Sequence, residues 1–218
     1  MLSLTLAGPA EFVLAQRMVT QHHYLHTPVD SRTSPLAYIV RWQHSDVGCL
    51  IFGRPESTRC YTGSLTYGSL DDVAQGRARY SRWEIINLAR IWLDPAIQRG
   101  GAHYIPHAAT YSVAQALRRV VIDYLIARPP CFLDEPWPLR VCLSYCDTRL
   151  HTGALYRAAN FSLARRNEDG IETYARPLRH LTHAERRQVE TASQRSPRSR
   201  RFRAARHQTH AQPALLLP

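Results

Sequence analysis

The run from Glu84 to Cys146 constrains the fold more than any other part of the chain. EIINLARIWL (84–93) is a nearly unbroken apolar segment of strand length, followed by DPAIQRGG, and apolar residues recur at helical spacing from about Ala102 to Ile126. ARPPCFLDEPWP (127–138) cannot continue that helix, because proline lacks the amide hydrogen and clashes with the preceding turn. It must connect to RVCLSYC (140–146), a second apolar strand. Strand, glycine loop, helix and strand in this order predict a crossover between parallel neighbours.

Around this unit the other elements are short. Apolar spacing from Pro9 onward predicts an amphipathic helix reaching His26, and LAYIVRW (36–42) and VGCLIFG (47–53) form a hairpin over a polar turn at Gln43–Asp46. Residues 54–82, with Pro55, three glycines and several arginines, read as a long irregular loop, which in a compact domain is usually functional or mobile. HTGALYRAANF (151–161) is a short helix feeding a strand, GIETYAR (170–176) is its hairpin return, and a helix near 182–192 closes the domain. From Gln194 the chain is rich in Arg, Ser and Gln, too poor in apolar residues to offset the entropy cost of folding. The expected division is one folded domain over 1–193 and a disordered basic tail over 194–218.

No apolar run reaches the roughly 20 residues of a membrane-spanning helix, and the N-terminus lacks the charged start of a secretory signal, so a cytoplasmic protein is expected. Five cysteines without C-x-x-C spacing indicate neither a disulfide framework nor a zinc ribbon. The net charge of +11 suggests a polyanionic partner, with DNA or RNA the natural candidate. All 28 basic residues are Arg, which suits forked phosphate contacts, although a GC-rich genome produces the same bias.

Three segments carry candidate chemistry. Gln98, Arg99, Gly100 and Gly101, between a strand and a helix, would offer backbone amides and a helix dipole to a pyrophosphate; a plain strand-to-helix turn is the other reading. In SYCDTRLHTGALYRAANF, Asp147 stands at a strand end as a candidate base, His151 could bind or cap, and Tyr156 could serve as general acid. The same residues read equally as a helix cap and half-buried packing. QHHYLHTP places His22 and His26 at i, i+4 if the helix continues, a geometry open to metal, yet no matching ligand pair is evident and no metal is expected.

Taken together, HHYLH, FGRP, LARIWLD and SYCDTRLHTGALYRAANF resemble the Mom family of phage DNA-modification proteins over roughly residues 20–165. The resemblance implies a divergent GNAT acyltransferase fold, a mixed and mostly antiparallel central sheet flanked by helices. It also implies acetyl-CoA or a related acyl-CoA as cofactor, DNA as partner and carbamoylmethylation of adenine N6 that protects DNA from restriction. Carried over by motif, Asp147, Tyr156, His23 and Tyr24 become catalytic candidates, Gln98–Gly101 the cofactor loop, and Arg90, His22, His151 and Arg157 substrate or DNA contacts. His103 departs from the Q/R-x-x-G-x-G/A pattern of GNAT loops. An ordinary N-acetyltransferase of a protein or small-molecule amine, and a non-catalytic nucleic-acid binder, remain the alternatives.

Overall fold

The computed structural model describes residues 1–33, 35–57, 59–60, 63–127 and 139–195. The Pro-rich connector after Ala127 and the expected tail beyond Arg195 lie outside the described residues. Nine strands, β1 (Leu2–Leu6), β2 (Leu36–Trp42), β3 (Ser45–Gly53), β4 (Tyr67–Gly68), β5 (Tyr80–Ser81), β6 (Ile85–Leu93), β7 (Val141–Asp147), β8 (Ser162–Arg166) and β9 (Ile171–Pro177), alternate with five α-helices among the described residues. These helices are α1 (Pro9–His22), α2 (Leu70–Ala74), α3 (Ala108–Ala127), α4 (Ala154–Ala158) and α5 (His183–Arg195).

Seven strands form one mixed sheet in the order β1-β2-β3-β6-β7-β9-β8, in which every neighbouring pair is antiparallel except β6 with β7. The mostly antiparallel sheet flanked by helices is the architecture expected, and β6-α3-β7 is the anticipated parallel crossover.

The helices lie where their apolar stripes can be covered. Ala15, Met18 and Val19 of α1 pack on Ile39, Cys49 and Ile51 on one face. On the other, Val113, Leu117, Val120, Val121 and Tyr124 of α3 meet Tyr38, Leu50, Phe52, Ile86 and Leu88. Each such large apolar side chain contributes about 1.5–3 kcal/mol when fully buried. The Tyr38 hydroxyl donates to Asp123 Oδ2 (2.8 Å), which ties α3 to β2 through an otherwise apolar layer.

Several elements differ from the sequence reading. β1 was not anticipated; it adds an edge strand to β2, Leu2 facing Trp42 and Leu6 facing Tyr38. The first helix stops at His22 rather than His26, because His23 adopts extended backbone (φ −78°, ψ 140°). The i, i+4 relation of His22 and His26 is therefore lost. The stretch 54–82 is not wholly irregular, since β4 pairs with β5 in parallel and α2 lies between them. The long helix begins at Ala108, not Ala102. α5 runs through Arg195, past the expected boundary at 193.

Candidate functional site

The parallel pairing of β6 with β7 lasts only for Ile85–Val141, Ile86–Cys142 and Asn87–Leu143. Beyond these pairs the two strands separate, and a cavity of about 1030 Å³ opens between their C-terminal halves. That volume lies at the upper end for small-molecule sites, which favour strand ends of this kind. Residues 88–93 of β6, Tyr145–Asp147 of β7, the 151–156 segment, the end of α1 and Ala109 at the start of α3 line it.

A side chain bridges the strands where the ladder stops. Ser144 is 1% exposed, its Oγ donates to Leu88 O (2.8 Å), and it lies 3.1 Å from the Tyr156 hydroxyl. Tyr156 stacks on Tyr174 (5.1 Å between ring centroids) and also reaches Tyr145 O at 3.3 Å. Burial pushes its phenol up to about 12, so it holds its proton at neutral pH. α4 can present this ring because Gly153, which precedes it, has φ +69°, and a Cβ there would meet the Tyr174 hydroxyl at 2.3 Å.

The turn at the end of β7 is built by Asp147. Its Oδ1 accepts from the Arg149 amide (3.0 Å) and Nε (2.9 Å), Oδ2 accepts from Arg149 Nη2 (2.7 Å), and its carbonyl accepts from the His151 amide (2.9 Å). The Arg149 guanidinium holds the Asp147 carboxyl down at about 2. Asp147 lines the cavity, but a carboxylate so well satisfied is a poor base. Nor is Asp147 the cap of the following helix, since Gly153 stands at the N-cap of α4; its side chain closes the turn through Arg149.

At the mouth, aromatic rings gather from three segments, the end of α1, β6 and the turn after β7. His22 stacks on Trp92 (4.7 Å), His23 stacks on Tyr24 (4.4 Å), and Tyr24 meets His151 edge-on (5.1 Å). Burial and the nearby Arg90 charge lower His23 to about 4, so its imidazole is neutral at pH 7. Burial also raises the Tyr24 phenol. Arg90 lines the same wall, anchored by Nη1 to Ala89 O (2.7 Å).

The glycine loop differs from the expectation. It does not open a helix: seven residues stand between Gly100 and Ala108, where α3 starts. The Gln98 amide donates to Pro95 O (3.1 Å), the Gly101 amide to Gln98 O (2.9 Å), and the Gln98 side chain to Leu93 O (2.6 Å). Gly100 supplies a left-handed turn (φ +88°), and a Cβ on Gly101 would lie 2.2 Å from Pro95 O. Both glycines thus serve the turn itself. Gln98 lines the cavity, whereas Arg99, Gly100 and Gly101 do not. Arg157 is likewise turned away, donating to the Tyr174 hydroxyl (2.8 Å) and Thr152 O (2.7 Å).

Sequence reasoning had not singled out Asn87 or Ser144 for the site. The available signal was an uncharged polar residue inside each apolar strand, Asn87 in IINLARIWL and Ser144 in VCLSYC. Among the described residues no group of His, Cys, Asp or Glu is arranged to hold a metal, and no helix is long and apolar enough to cross a membrane.

Solved structures similar to this chain include acetyltransferases, some of them described as GNAT family members. They include the aminoglycoside acetyltransferase AAC(6')-Ib in complex with coenzyme A (12% identity, 88% of this chain and 98% of that one, TM-score 0.45). A GNAT family acetyltransferase from Listeria monocytogenes (12%, 81% and 95%, TM-score 0.44) and the spermidine/spermine N-acetyltransferase SpeG from Vibrio cholerae (9%, 81% and 95%, TM-score 0.42) are also similar. No family model matches the chain and no curated protein matches its sequence, so the Mom resemblance rests on its motifs alone.

Proposed function

We propose that this chain is an acyl-CoA-dependent N-acyltransferase of the GNAT type, transferring an acyl group to an amine. The observation that carries the reading is the parting of its parallel strand pair above a large cavity, with a protonated tyrosine at the point of separation. Unpaired edges of β6 and β7 offer main-chain groups to an amide-bearing arm lying between them. The cavity reaches Gln98 and also Ala109 in the first turn of α3, whose amides and dipole suit a diphosphate.

Acetyl-CoA would supply the acyl group as a thioester. Tyr156 then holds a proton for the departing sulfur, and Ser144 fixes the hydroxyl's position. The proton that the acceptor nitrogen loses passes to solvent; His23 lines the cavity as a neutral ring whose lone-pair nitrogen, Nδ1, already accepts the Leu25 amide (3.2 Å). Asp147 shapes the turn that presents His151 and α4.

One set of contacts favours a nucleobase as the acceptor. The rings of His22, Trp92, His23, Tyr24 and His151 form flat apolar surfaces at the cavity mouth, and the chain carries a net charge of +11. A base in duplex DNA would have to be extruded, at a cost of a few kcal/mol.

Thiol release from acetyl-CoA in the presence of an amine panel tests the main reading. Mass spectrometry of nucleosides from DNA incubated with enzyme and acetyl-CoA tests the second. Failure to bind CoA would overturn both. Acylated small amines with unmodified DNA would retain the first alone.

A further inference from the structure

Two buried polar atoms beside the cavity, Asn87 Oδ1 and Arg90 Nε, have no hydrogen-bond partner among the described residues. Asn87 is 6% exposed and both residues line the cavity. Leaving such atoms unsatisfied is costly, and native proteins rarely do so without a water, ion or ligand to answer them.

In a regular strand, residues three apart point to opposite faces. Here they do not, because the register with β3 pairs Phe52 with Leu88 and Ile51 with Arg90, leaving Ala89 as an extra residue in β6. The bulge resets the alternation. Ile86, Leu88, Ile91 and Leu93 all pack into the core beneath α3, while Ala89 and Trp92 pack on the α1 side. Asn87 and Arg90 accordingly share the α1 face. Bulges re-aim side chains in this way beside functional sites.

The Arg90 guanidinium is fixed by its other nitrogens, Nη1 on Ala89 O (2.7 Å) and Nη2 near Thr27 Oγ1 (3.4 Å), which leaves the Nε–H over. The Asn87 amide can present either end to the cavity by a half-turn about its last torsion. We infer that Asn87 and Arg90, brought onto one face by the bulge at Ala89, form the recognition pair for the acceptor, engaging a group that offers a hydrogen-bond donor beside a lone-pair acceptor. Naming this ligand the acceptor rests on the acyltransferase reading; the pair itself does not.

The test compares two aromatic amines of similar size in ligand-observed NMR titrations, with and without saturating CoA. ortho-Aminopyridine carries an amino donor beside a ring-nitrogen acceptor, and aniline carries the donor alone. The wild-type protein should bind aminopyridine about tenfold more tightly, the worth of one good hydrogen bond. Arg90→Met should bring the two ligands within about twofold, because Nε–H answers the ring nitrogen that aniline lacks, whereas Asn87→Leu should weaken both alike by up to about tenfold, because both carry the amino donor that Oδ1 accepts. Equal affinities in the wild type, a preference that survives Arg90→Met, or affinities unchanged by Asn87→Leu would overturn the pair. Absence of CoA binding would instead overturn the acyltransferase reading, with the titration in its absence still deciding the pair. Should Arg90→Met fail to fold, Arg90→Leu takes its place, and should Asn87→Leu fail, Asn87→Ala does.

Discussion

Ser144 Oγ donates to the carbonyl oxygen of Leu88 across the line where β6 and β7 cease to pair. A side chain thus replaces the next rung of the ladder. Ser144→Ala leaves the Leu88 carbonyl without that donor and should cost about 1–3 kcal/mol, the penalty of a buried acceptor left unsatisfied. In a chain of this size the unfolding midpoint should fall by several degrees, readable by calorimetry. An unchanged midpoint would mean that water replaces the hydroxyl.

Removing the Tyr156 hydroxyl alone, by Tyr156→Phe, should lower kcat for acyl transfer by about a hundredfold or more while leaving KM for acetyl-CoA nearly unchanged, as expected for a general acid. Because burial lifts the phenol to about 12, the wild-type rate should show no tyrosine limb between pH 6 and 9. A rate falling through pH 8 with loss of one proton from Tyr156 would contradict this assignment.

Asp147→Asn should reduce kcat by less than about tenfold, because a carboxylate held near 2 and bound by Arg149 contributes little as a base at neutral pH. The asparagine oxygen can still accept the Arg149 amide. Steady-state rates for the two variants side by side decide the point: a loss equal to that of Tyr156→Phe would restore Asp147 to the chemistry.

His23 is lowered to about 4 in the fold, chiefly by burial, so the unfolded chain binds its proton more tightly. The stability associated with neutral His23 is fully present above the ordinary value near 6.5, is lost as pH falls through the interval down to about 4, and changes no further below it. Unfolding midpoints should fall across this window, and His23→Gln should flatten the fall. The His23 ring proton in NMR should titrate near 4; titration near 6.5 would mean that the ring is not desolvated in the fold.

Gly153→Ala should destabilise by on the order of 1–3 kcal/mol through its left-handed backbone, beyond which its methyl group meets the Tyr174 hydroxyl. Equilibrium denaturation measures this loss. A neutral substitution would require the α4 turn to relax without strain.

The elements best legible in the sequence were those whose burial imposed a single period. LAYIVRW matched β2 residue for residue, and the 84–93 and 140–146 strands differed from β6 and β7 only at their ends. β1 was missed because LSLTL is too short to declare a strand before β2 is there to pair with it. The start of α3 was misplaced because Ala102–His107 carries no signal against helix except Pro106, while His107 takes a left-handed conformation (φ +59°) that only tertiary contacts impose. At the cavity, Tyr156, His22, His23, Tyr24 and His151 could be named from their motifs, whereas Trp92 could not. The bulge at Ala89, which decides which side chains share a face, depends on registry with β3 and leaves no local mark. The same limit left the reading of Gly100 and Gly101 open: two glycines announce a tight turn, not what the turn holds.

Three rungs between β6 and β7 also have a mechanical consequence. The sheet is two stiff panels, β1-β2-β3-β6 and β7-β9-β8, joined along a short seam. A molecule lodged in that seam acts as a splint, so occupancy should be felt as rigidity in strands that never touch it.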